Sequence, residues 1–81
     1  MRDAIMKIDL HNLKEEEAML EIDRALDYAD SSTYQIQLIH GFNRGTHLKD
    51  MIMREYRHHR KVKKVQPGSN LGITVLVLRD L

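Results

Sequence analysis

A small two-layer α/β domain is predicted by three observations on this 81-residue sequence. Short alternating or uniformly apolar runs interleave with two amphipathic segments of helical period, in the order strand, helix, strand, helix, strand, strand. The connections between them are short, as in a single domain with one thin core. Only two helices are available, so both are expected on one face of a mixed four-strand sheet, with the other face left partly open. The whole chain, 1–81, reads as one domain.

The first strand covers residues 5–10. Met6, Ile8 and Leu10 share one of its faces, while Asp9 and the following His11 share the other. Residues 14–30 form the first helix, because Ala18, Ile22, Ala25, Leu26 and Ala29 recur at helical spacing. Glu15, Glu16 and Glu17 stand in its first turn, where the helix dipole favours negative charge; this accounts for the acid cluster better than metal binding does. The second strand, 34–39, places Tyr34, Ile36 and Leu38 on one face and Gln35, Gln37 and Ile39 on the open one. Thr46 is the expected cap of a second helix running to about His59, with Leu48, Met51, Ile52 and Tyr56 as its buried stripe. Residues 61–66 make a short basic strand, 67–72 a turn, and "ITVLVL" (73–78) a strand apolar on both faces. Two successive strand–helix–strand units call for parallel pairing through right-handed crossovers, and the last two strands are expected to pair antiparallel.

Composition narrows the classes of function. Hydrophobic residues form 42% and charged residues 31% of the chain, which fits a globular domain and argues against a disordered or membrane-spanning one. No apolar run is long enough to cross a bilayer, and no secretion signal is recognisable at the amino terminus. Cysteine is absent, which removes disulfides and thiolate metal sites and makes the cytoplasm the expected compartment. The net charge of +1 conceals an asymmetry. Residues 1–32 carry nine acids and four bases, whereas residues 33–81 carry three acids and nine bases, so a polyanion is expected on the second half.

In open α/β sheets, chemistry gathers at the carboxyl ends of parallel strands. Asp9 and His11 end the first strand and His40 and Gly41 the second, so one rim is expected to carry all four. A carboxylate beside an imidazole can fix its tautomer and raise its basicity, as general acid–base catalysis requires, although structural Asp–His contacts are common. In "HGFNRGTHLK" (40–49), Gly41, Asn43 and Gly45 tolerate positive φ, so the loop can turn its amides towards an anion, with Arg44 and Lys49 adding positive charge. A plain strand-to-helix connection is the competing reading. "REYRHHRKVKK" (54–64) holds more bases than helix capping needs, and Arg57, Arg60, Lys61, Lys63 and Lys64 are candidates for phosphate contact. His58 and His59 are adjacent and diverge on a helix, which argues against a shared metal.

"IDLHNL" before an acidic helix, then "LIHGFNRGTHLK" and a terminal "GITVLVL", resemble the Smr (small MutS-related) domain family across nearly the whole chain. The family pattern is Asp-Leu-His-Gly, a His-Gly-x-Gly-x-Gly loop and a Gly-x-Thr-Val final strand. Asp9, Leu10, His11, His40, Gly41 and Gly45 match it, while Asn12 and Asn43 stand where glycines are usual. The resemblance implies a fold similar to the C-terminal domain of translation initiation factor 3, and cleavage or binding of nucleic acid.

The leading expectation is an endonuclease for RNA or DNA in which Asp9, His11 and His40 are catalytic. Gly41, Asn43, Arg44, Gly45, Lys49, Arg57, Arg60, Lys61, Lys63 and Lys64 are then expected to hold nucleic acid. No cofactor is expected, and participation of a divalent metal is left open. The alternatives are a non-catalytic module that binds nucleic acid or a ribosome, and a small adaptor that uses its open sheet face. The aromatic residues Tyr28, Tyr34, Phe42 and Tyr56 are too few and too committed to the fold for strong base recognition.

Overall fold

The computed structural model describes residues 4–41 and 46–79. Its elements follow the expected order: β1 (Ile5–Asp9), α1 (Glu15–Tyr28), β2 (Gln35–Ile39), α2 (His47–Tyr56), β3 (Lys64–Pro67) and β4 (Ile73–Val77). The helices are shorter than their apolar patterns suggest by one to three residues at their ends. No described helix is long and apolar enough to cross a membrane.

The strands lie in the order β1-β2-β4-β3, with β1 parallel to β2, and β4 antiparallel to both β2 and β3. The expected pairing of the second strand with the third is therefore corrected. β4 separates them, although β3 keeps the direction of β2. The reason is burial. Four of the five β4 residues are buried, so this strand needs a neighbour on each side, whereas β3 is short, ends in Pro67 and starts with an exposed Lys64, as suits an edge.

Both helices cover one face. Ile36, Leu38 and Leu76 point into a core shared with Ile22 and Leu26 of α1 and Met51 and Ile52 of α2, all 0–1% exposed. The α1 acids act locally: Glu17 accepts the Lys14 N–H at 2.9 Å, and Glu15 pairs with Arg54 of α2 at 3.1 Å. Tyr56 joins the helices from inside, its hydroxyl donating to Asp23 (2.7 Å) with the Met19 carbonyl at 3.2 Å. Burial, with the Asp23 bond second, holds this phenol far above the ordinary tyrosine range.

The opposite face carries three cross-strand rows. Asp9, Ile39 and Ile73 form the row nearest the carboxyl ends of β1 and β2. Lys7, Gln37, Val75 and Gln66 form the next, and Ile5, Gln35, Val77 and Lys64 the last. Val75 and Val77 are 5% and 6% exposed, flanked by the long side chains of the glutamines and Lys64.

Candidate functional site

The rim at the carboxyl ends of β1 and β2 is built by local turn chemistry. Leu10, fully buried, donates its N–H to the Ile39 carbonyl (2.8 Å) and accepts from Leu13 (3.1 Å), so the chain reverses across residues 10–13. Asn12 sits in this turn at φ 67°, a left-handed conformation that asparagine tolerates nearly as well as glycine. The departure from the family glycine is thus accommodated.

The turn brings His11 back over Asp9. One carboxylate oxygen, Oδ1, accepts from the His11 backbone N–H at 3.1 Å and from ring Nδ1 at 2.5 Å. These bonds to His11, the ring bond foremost, hold the Asp9 carboxyl below its ordinary value. With Nδ1–H given to a carboxylate, the lone pair of the neutral ring lies on Nε2. More than half of the side chain, 57%, is open to solvent.

His40 is arranged differently. Its ring is buried, with Nδ1 donating to the Gly41 carbonyl (2.7 Å) and Nε2 accepting from the Thr74 hydroxyl (2.8 Å). The carbonyl can only accept, which puts a proton on Nδ1 and, in the neutral ring, leaves Nε2 as the acceptor. By register His40 follows Ile39 and so faces the helix side, whereas Asp9 lies on the open side. The two strand ends share one rim, yet the His40 and His11 rings do not meet.

The amides of His40 and Gly41 both donate to the Gly72 carbonyl, at 2.9 and 3.0 Å. Both are turned towards β4, so of the loop amides expected to face an anion the Gly41 amide is already taken. Gly41 adopts φ 75°, and a Cβ built there would stand 3.8 Å from the His11 Cβ, so the loop abuts His11 directly. Phe42, Asn43, Arg44 and Gly45 lie outside the described residues. Thr46 precedes α2 as expected, but its hydroxyl donates to Asp50 (2.9 Å), which places a carboxylate at the helix start. Lys49 is exposed beside a groove of about 260 Å³ walled by Pro67, Gly68, Leu71 and Thr74.

The remaining basic candidates are elsewhere. Lys64 pairs with Val77, which pairs with Gln35, so β3 begins at the end of the sheet opposite Asp9, and Arg57, Arg60 and Lys63 precede it in the connection from α2. Four strand steps, about 13 Å, separate the two ends. The Lys61 ammonium donates to the Leu26 carbonyl (2.7 Å) in the last turn of α1, a capping role distinct from the expected phosphate contact. The residues that sequence reasoning missed are Gly72 and Thr74, which hold His40. A single hydroxyl in the aliphatic run "ITVLV" was the available signal. Among the described residues no group of three His, Cys, Asp or Glu side chains could hold a metal ion.

Comparison with known proteins places these features in a family. A family model described as "Smr domain" matches residues 8–79. The chain is 35% identical over 82 residues to "Endonuclease MutS2" of Pelotomaculum thermopropionicum, covering 95% of this chain and 10% of that protein. It is 34% identical over 80 residues to "Endonuclease MutS2" of Caldicellulosiruptor bescii, covering 93% and 10%. The chain thus spans about a tenth of the length of these relatives. A crystal structure of the Smr domain of Thermus thermophilus MutS2 superimposes with a TM-score of 0.82 at 29% identity, covering 93% of this chain and 99% of that one.

Proposed function

Because the chain belongs to the Smr domain family, we propose that it acts on nucleic acid by cleaving phosphodiester bonds in RNA or DNA, as the relatives named endonuclease suggest. The observation that carries this reading is the solvent-open His11 ring oriented by Asp9. Nε2 would take the proton of an attacking ribose 2′-hydroxyl or water, and the carboxylate would stabilise the imidazolium that forms. His40 acts here as a positioning residue: held by Thr74 and Gly41, it sets the loop that abuts His11. Lys49, with Arg44 from the adjoining loop, supplies positive charge to the phosphate.

The test uses the purified chain with labelled single-stranded RNA and duplex DNA, with and without EDTA. His11→Ala should lose about 10²–10⁴-fold in cleavage rate while keeping its affinity, since the base acts mainly in the transition state, and should change the melting temperature only slightly, since the Asp9–His11 pair is solvent-exposed. Asp9→Asn should lose nearly as much through misorientation of the ring. A wild-type protein that binds both substrates and cuts neither would make the domain a binding module instead.

A further inference from the structure

Apart from Asp9, the sheet face away from the helices carries no assigned role, and its charge differs from that of the α1 surface. α1 presents Glu16, Glu17, Glu21, Asp23 and Asp27 to solvent or near it, against Arg24 as the one base within the helix, so a polyanion is repelled there. On the open face, Asp9 is the only acid among the three described rows, and Lys7 and Lys64 stand exposed on the two edge strands. Between them lie the amides of Gln35, Gln37 and Gln66, each with donors and an acceptor, over an apolar floor of Val75, Val77 and Ile73.

We propose that this face is the track of a single-stranded nucleic acid, with Lys7 and Lys64 on its phosphates and the glutamine amides on its base edges, leading into the Asp9–His11 pair. The inference rests on the proposed action on nucleic acid and specifies the form of the substrate and its path. A single strand fits because its base edges are free, whereas those of a duplex are reached only through grooves, and among the described residues no helix or ribbon projects from this face to enter one. The reach is suitable. Three strand spacings, about 14 Å, separate β1 from β3, and both lysines add flexible side chains to that span. Asp9 and His11 adjoin the Lys7 row, with Asp9 on the same face two residues along β1. No aromatic side chain occurs in the described rows, so contact relies on charge and amides rather than stacking, and sequence preference should be weak.

Binding of fluorescent single-stranded RNA and DNA of about 12 nucleotides, and of a duplex of the same sequence, tests the track across a salt series. The double variant Lys7→Glu, Lys64→Glu should lose about tenfold in single-strand affinity, and Lys64→Ala should make the log–log salt slope shallower by about 0.7. Gln37→Arg, which adds a charge at the centre of the face, should tighten binding by roughly threefold, a gain that misfolding cannot mimic. Arg24→Ala on α1 is the control and should leave affinity unchanged. Face variants that bind and cleave like wild type would overturn the track, leave Lys7 and Lys64 as edge guards, and keep the nuclease reading intact. Preference for duplex over single strand would also overturn it. A wild-type chain that binds no nucleic acid would remove both proposals together.

Discussion

A histidine ring held by one carboxylate oxygen makes a prediction that needs no substrate. The Asp9 carboxyl is held below its ordinary value of 3.8 chiefly by the His11 ring bond, with the His11 amide second. Its titration, followed by carboxyl-carbon NMR, should show a midpoint below that value, and His11→Ala should return it towards it. The sign follows from linkage: the lowered carboxyl favours the folded state above the unfolded value, and that contribution disappears as the pH falls through the folded one. An unshifted midpoint would mean that the contact is not maintained in solution. This pair was legible in the sequence because it is local; its members stand two positions apart, and strand alternation with one turn brings them together. His40 was not legible in the same way. Whether its ring is free depends on Thr74, thirty-four positions later, and pattern reading carries no signal for such a bond. For the same reason the Gly72 carbonyl that captures two loop amides could be found only in three dimensions.

The β3–β4 turn shows how tightly an element can be closed. The Gly68 N–H donates to the Ile73 carbonyl at 2.9 Å, and a Cβ built on Gly68 would lie 2.7 Å from the Ile73 Cβ and 3.1 Å from its carbonyl oxygen. Gly68→Ala should therefore cost about 1–3 kcal/mol, read as a fall in melting temperature of at least about 4 °C. A variant as stable as wild type would show that the turn relaxes without loss. Element order, the buried stripes and the single helical layer were all readable, since each follows from periodicity within one segment. The second neighbour of β2 was not, although its parallel pairing with β1 was. Two strand–helix–strand units suggest a consecutive parallel set, but the continuous burial demanded by β4 prevails and moves β3 to the edge.

Across the whole molecule, the positive charge is split between two ends of the sheet. Lys49 lies beside the rim, while Arg57 and Arg60 precede the start of β3 at the other end, about 13 Å away along the strands. A substrate long enough to reach both should bind more tightly than one that reaches the rim alone, with little change in the rate at saturation. Measured over oligonucleotides of increasing length, KM should fall and then level off, and the Arg57→Ala, Arg60→Ala variant should flatten that dependence. A kcat that rises with length at constant KM would contradict this division. The central position of β4 also governs when the molecule can come into being. Translation delivers residues in order at about 5–20 per second, and β1, β2 and β3 emerge before the strand that joins them. Until residues 73–77 have left the ribosome, β3 has no partner and the parallel β1–β2 pair has an uncovered edge, so a nascent chain paused before Ile73 should be protease-sensitive and in need of a chaperone.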